Sequence, residues 1–163
     1  ALPEYASLKF RPGSGNMSDF NVGSACSYPM MRVEEMYFIE AEAAAQQNPA
    51  QGVNLLNDFM SNYRDPQYKC TKSSKEDVVK EIVFQKRVEL WGEGQSFFDI
   101  KRLNLPVTRG YAGTLHHTIG RFNTTTRPAW MNFCIVRSEG NNNTALVGFE
   151  NPDPSDVYSS WAE

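Results

Sequence analysis

The chain has 163 residues, 40% of them apolar and 12% aromatic, enough to bury a core and to exclude disorder throughout. Its net charge of −3 lacks the basic footprint of a nucleic-acid binder. No run of about eighteen apolar residues is available to carry a helix across a membrane, and no segment reads as a signal peptide.

The start at Ala1-Leu2-Pro3 reads as a processed product or a piece of something longer. Residues 1–30 carry Pro3, Pro12, Gly13, Gly15, Gly23 and Pro29, which predicts irregular chain. Residues 31–47 form the first predicted helix. Met36, Ile39 and Ala43 share one face, with Val33, Tyr37 and Ala44 on the adjoining one. Asn48-Pro49 ends it, because proline cannot extend a helix and restricts the residue before it. The second predicted helix covers 51–63, with Val53, Leu56, Asn57 and Met60 together and Leu55 and Phe59 beside them. So short a link makes the two helices an antiparallel hairpin.

A polar loop at 64–74 follows. Ser73 or Ser74 then caps a third helix running to about Trp91, and Ser74 with Asp77 fits a capping pattern. Val78, Val79, Ile82, Val83, Val88 and Leu90 supply its apolar surface. Gly92 and Gly94 interrupt it, and 95–102 is a short fourth helix. Beyond Asn104 the chain turns loop-rich, and only 131–137 looks like a strand, through Phe133, Ile135 and Val136. The expected organisation is thus an irregular segment at 1–30, a mostly α core at 31–104 of two tetratricopeptide-like helix hairpins, and a loop-rich C-terminal segment of the same domain at 105–163 with little strand.

Three cysteines, Cys26, Cys70 and Cys134, are too widely spaced for a zinc ribbon or a CxxC redox pair; buried inert thiols are the favoured reading, with one bridge and one free thiol as the alternative.

The most informative stretch is 85–102. Gln85, Glu89 and Glu93 share a helix face, and Asp99 and Arg102 lie one turn apart on the next helix. These charges interleave with Leu90, Trp91, Phe97 and Phe98. Charges so placed must be paired, since an unpaired buried charge costs several kcal/mol, roughly. Arg32, Glu35 and Glu42 form a matching stripe on the first helix. The expectation is a structural ion-pair network of Arg32, Glu35, Glu42, Glu89, Glu93, Asp99 and Arg102 joining the two hairpins.

Two motifs carry a resemblance. Arg32-x-x-Glu35-x-Tyr37 is followed by Ala41-Glu42. Arg87-x-Glu89-Leu90 is followed by Glu93-Gly94 and by Phe98-Asp99-Ile100-x-Arg102. Together they resemble the hallmark of the SusD/RagB family, and Asn151-Pro152 is similar to that family's C-terminal end. The resemblance covers about residues 28–160. Gln85 stands where the family usually has Glu, and Ser96 where it usually has Arg. One charge of each sign is lost, so the balance is kept and a repacked network is expected. The resemblance implies a lipid-anchored protein on the outer-membrane surface that captures a glycan and passes it to a SusC-like TonB-dependent channel. It implies no catalysis and no cofactor. It also implies a larger whole fold, with an N-terminal half outside this chain.

Ligand-binding candidates are aromatic and polar loop residues, because aromatic faces stack on sugar rings and loops carry binding groups on a rigid scaffold. Tyr111, His116 and His117 lie in one Gly-rich loop; Asn123, Arg127 and Trp130, with Arg121, follow in the next. Trp130 has a competing packing role. Tyr5, Phe20 and Tyr28 are further candidates. Adjacent histidines on extended chain point to opposite faces, so His116 and His117 are not expected to hold a metal. Glu89 with Glu93, or Glu40 with Glu42, were they a glycosidase pair, would need freedom from their cationic neighbours. The leading reading is a glycan-binding module. Its rivals are a scaffold that docks the channel without touching glycan and, behind it, a glycoside hydrolase.

Overall fold

The computed structural model describes residues 9–10, 26–133 and 135–149. Tyr5, Phe20, Cys134, Asn151-Pro152 and most of the segment expected to be irregular at 1–30 lie outside the described residues. The chain divides into two units, Ala1–Gln95 and Ser96–Glu163.

The first unit is built on three helices: α1 at Val33–Gln47, α2 at Pro49–Tyr63 and α3 at Lys75–Glu89. Asn48 serves both sides of the first turn. It ends α1 by donating its backbone N–H to Ala44 O, and its side chain accepts from Ala50 N to start α2, with Pro49 at the first helical position. Ser74 caps α3 by accepting from Asp77 N, as its spacing predicts. Gly92 and Gly94 follow α3 with φ of 78° and 83°, left-handed conformations that glycine adopts without steric cost.

Helix α1 packs on both α2 and α3, and the core between them is Phe38, Ala41, Ala45, Leu56, Phe59, Cys70, Val78 and Ile82. Burying each large side chain contributes about 1.5–3 kcal/mol. The phase of α1 corrects the sequence expectation. Its buried face is Phe38, Ala41, Glu42 and Ala45, whereas Val33, Met36 and Ile39 are exposed. The helix is apolar on more than one side, and periodicity alone could not say which side α2 and α3 would cover. Val88 on α3 is exposed for the same reason, while Leu90 is buried. Gly52 sits where α1 and α2 cross and faces Ala41 and Ala45 at backbone distance. The 64–74 loop is tied to α2 by Cys70 N donating to Asn57 Oδ1 at 2.7 Å. Cys70 is buried, but Cys26 is only half-buried, a departure from the expectation of inert buried thiols.

In the second unit α4 covers Gln95–Leu103, and a six-residue α5 covers Arg137–Asn142. Asn104 closes α4 with φ of 53°, and Leu105 N donates to Ile100 O, a left-handed cap. Three short 3-10 turns lie at Thr118–Gly120, Ala129–Met131 and Thr144–Leu146. No strand forms among the described residues, so the expected strand at 131–137 is corrected. A 3-10 turn runs to Met131, α5 begins at Arg137, and Phe133 and Val136 are exposed between them. A strand needs a ladder partner; the sole bridge among the described residues pairs Thr108 with Asn123.

Candidate functional site

Glu89 and Glu93 of the charged signature are drawn together with Arg32 at one end of the first unit. Glu89, on the last turn of α3, accepts from Arg32 Nη2 at 2.8 Å and from Arg64 Nε and Nη2 at 2.6 and 2.7 Å. Arg64 therefore grips the Glu89 carboxylate with two parallel bonds, the strongest ion-pair geometry available to arginine. Arg64 Nη2 also reaches Glu34 at 3.2 Å, Arg32 Nε lies 3.1 Å from Glu93, and Lys9 pairs with Glu93.

The cations also serve helix ends. Arg64 donates to Tyr63 O and Arg32 to Glu89 O, carbonyls at the C-termini of α2 and α3, where positive charge is favoured. The bonds from Arg64, opposed by partial burial and reinforced by Arg32, hold the Glu89 carboxyl below the ordinary carboxylate range.

Arg64, Glu34 and Lys9 had no place in the sequence-based network. Glu35 was expected there but makes no ion pair among the described residues, because Glu34, not Glu35, is phased toward Arg64 at the end of α2. The signal for Arg64 was available: an antiparallel hairpin returns the end of α2 to the start of α1. Glu42 is buried further along α1, beside Phe38 and Ala41. Gln85 joins a different group, donating to Glu81, which also accepts from the Tyr68 hydroxyl. In the second unit the buried Asp99 pairs with Arg102 at 2.7 Å, one turn on in α4.

The loop candidates lie in the second unit, at 107–131. Two extended pieces run side by side: Thr124 N donates to Val107 O, Val107 N to Thr124 Oγ1 and Arg109 N to Phe122 O. The Asn123 side chain fastens the far end. Its Oδ1 accepts from the N–H groups of Arg109 and Gly110, both at 3.0 Å, and its Nδ2 donates to Gly110 O at 2.8 Å. Asn123 is therefore spent on its own loop.

The same loop engages other candidates. Arg109 stacks on Phe122 and contacts His116 Nδ1 at 3.2 Å, while Arg121 Nε donates to His116 O at 2.7 Å. His117 Nδ1 accepts from Ile119 N and caps the 3-10 turn. Arg127 Nη1 donates to Lys101 O at 3.3 Å, and its N–H to Asn104 Oδ1. Trp130 meets the buried Phe122 edge-on at 5.6 Å with part of its ring in solvent. Tyr111 is 58% exposed and nothing among the described residues stacks on it. Tyr28 in the first unit packs on Phe10 but keeps most of its surface exposed.

Asn123→Ala is expected to loosen this loop and spare the helices. Amide exchange at the Gly110 N–H should accelerate about tenfold, the consequence of losing side-chain bonds worth about 1–1.5 kcal/mol. Exchange measured by NMR checks it: unchanged protection at Gly110 would show that the side chain carries no load.

Among the described residues no three His, Cys, Asp or Glu side chains are grouped to hold a metal, and no helix is long and apolar enough to cross a membrane.

Residues 5–152 match the model of the SusD family. A crystal structure of a SusD-like carbohydrate binding protein from Bacteroides vulgatus is similar to this chain, with a TM-score of 0.61 at 26% sequence identity. The similarity covers 89% of this chain and 34% of that one, so the chain spans about a third of its solved relative. No curated protein matches.

Proposed function

The chain belongs to the SusD family, and from that premise we propose that it is part of a non-catalytic glycan-binding protein of an outer-membrane uptake system. The observation that carries this reading is the self-tied loop at 107–131, which presents Tyr111 to solvent on a backbone held by Asn123 and Thr124. A rigid loop with an open aromatic face loses little entropy when a sugar ring stacks on it. Tyr111 and the open part of Trp130 supply the stacking surface. His116, His117 and Arg127 supply hydrogen bonds to hydroxyls, and Asn123 holds the platform in shape.

The carboxylates support a non-catalytic role. A glycosidase acid must hold its proton near neutral pH, which requires a raised pKa. Glu89 is shifted the other way by Arg64 and Arg32, and Glu93 is engaged by Arg32 and Lys9. The remaining parts of the proposal follow the family: a lipid anchor in the whole protein, the outer leaflet as its place, and a SusC-like TonB-dependent channel as its partner.

Electrophoresis of the full chain through gels containing amylopectin, xylan or galactomannan tests the proposal. Retarded migration in at least one gel, reduced in Tyr111→Ala and without release of reducing sugar, is the expected result. Unretarded migration in every gel would overturn it. The docking reading has one observation in its favour, the fully exposed Leu115 and the exposed Ile119 at the loop tip. Stable association with the channel without saturable polysaccharide binding would favour that alternative.

A further inference from the structure

A second aromatic surface lies in the first unit, far in sequence from the loop candidates. Tyr37 of α1 stacks on Phe59 of α2 at 5.1 Å with an angle of 29° between the rings. Tyr63, one turn beyond Phe59, lies against both, 6.0 Å from Tyr37 and 5.7 Å from Phe59. Phe59 is buried, whereas Tyr37 and Tyr63 are 38% and 58% exposed. Tyr63, and behind it Glu40 and Glu34, push the Tyr37 phenol above its ordinary value.

Packing needs explain Phe59 but not the other two rings. A tyrosine at either place could turn into solvent; instead Tyr37 stacks on the buried Phe59 ring and Tyr63 lies tilted against it. Arg64 fixes the arrangement from below. Its guanidinium lies 5.2 Å from the centre of the Phe59 ring and is held by Glu89 and Glu34. The rings are mounted on two helices joined by a turn with no slack between Asn48 and Pro49, a more exact support than a loop.

The rim is polar. Glu34 and Glu40 lie one turn either side of Tyr37 on α1, close enough to act on its phenol. Glu34 is balanced by Arg64; Glu40 is exposed and has no ion-pair partner among the described residues.

We infer that Tyr37 and Tyr63 form a second sugar-stacking subsite, which takes one pyranose ring of a neutral polysaccharide. The C–H face of the sugar rests on the Tyr63 ring, and its hydroxyls meet Glu40 and the two tyrosine hydroxyls. Neutral sugars are selected because an uncompensated Glu40 repels the carboxylate of a uronic acid. This inference rests on the glycan-binding reading above and extends it to a different unit of the chain.

Calorimetric titration of the full chain with amylopectin, xylan, galactomannan and polygalacturonate tests it. Tyr63→Ala should weaken binding of the preferred neutral polysaccharide about tenfold, and Tyr63→Phe, which keeps the ring, about twofold or less. Polygalacturonate should bind more weakly than the neutral chains. Tetranitromethane labelling of the unmutated chain gives a readout independent of folding: nitration of Tyr63, located by mass spectrometry, should be suppressed by saturating polysaccharide. Wild-type binding with neither an effect of Tyr63→Ala nor protection of Tyr63 overturns the subsite and leaves the glycan-binding reading standing. No binding to any of the four overturns both.

Discussion

Gly52→Ala is expected to destabilise the helical unit by about 2–3 kcal/mol, although alanine is the better helix former by about 1 kcal/mol. Gly52 lies inside α2, so the substitution relieves backbone entropy. The added methyl has nowhere to go. It would overlap the Ala45 methyl and come within 2.8 Å of Ala45 Cα and 2.9 Å of Ala41 O. Two of these three atoms are backbone and cannot rotate aside. The helices must separate along the crossing, and the layer of Phe38, Leu56 and Phe59 beside it loses its fit.

Urea denaturation followed by helical circular dichroism reads the loss as a lower midpoint at unchanged slope. Moving the methyl across the interface, with Ala45→Gly added to Gly52→Ala, should recover part of it. The approaches to the Cα of residue 45 and to the Ala41 carbonyl remain in the double variant, so recovery is incomplete. A single variant as stable as the wild type would show that the crossing is looser than described.

The next largest effect is expected at Glu89. Breaking a buried ion pair costs about 3–5 kcal/mol, but Arg32 and Arg64 are partly solvated and keep Glu93 and Glu34, so about 2 kcal/mol is expected for Glu89→Ala. The loss has a pH signature. The folded chain holds the Glu89 carboxyl below its ordinary value near 4.5, chiefly through Arg64 and then Arg32. A depressed carboxylate contributes stability that is fully present above the unfolded-state pKa and is lost as pH falls through the folded one. Wild-type stability should therefore decline as the medium is acidified below about pH 4.5, as paired carboxylates take up protons. Glu89→Gln should be less stable at neutral pH and decline less steeply in acid. Parallel curves for the two proteins would exclude Glu89 as a source of the pH dependence. A double-mutant cycle of Arg64→Ala with Glu89→Ala should return a coupling of about 1 kcal/mol or more, since the contact is bidentate.

Both predictions concern residues whose roles were unequally visible in the sequence. Glu89 was legible because charge set among Leu90 and Trp91 demands a partner. Its main partner was legible only through the hairpin, because Arg64 stands outside the resembling motifs and is delivered by the antiparallel return of α2. Gly52 looked like an ordinary weak point in a helix; its reason is a distance between two helices. The binding candidates divide in the same way. Tyr111 stays open to solvent, whereas the amide of Asn123, chosen for its hydrogen-bonding capacity, is used on the backbone of Arg109 and Gly110. The Tyr37–Tyr63 surface escaped notice because its members lie on different helices and meet only when the hairpin closes.

Local chemistry determined what the sequence could show alone. Helix ends depend on groups within about four residues: Asn48 with Pro49, Ser74 with Asp77, Gly92 and Gly94 after α3. These are legible without knowing what packs on what. Tertiary structure decided the rest. It chose the Phe38–Ala41–Ala45 face of α1 over the Met36–Ile39 face, brought Arg64 to Glu89, and left the described residues of 131–137 without a strand partner among the described residues. Each outcome turns on which surface meets which across a long stretch of chain, and that depends on the whole set of competing burials, not on any one helix.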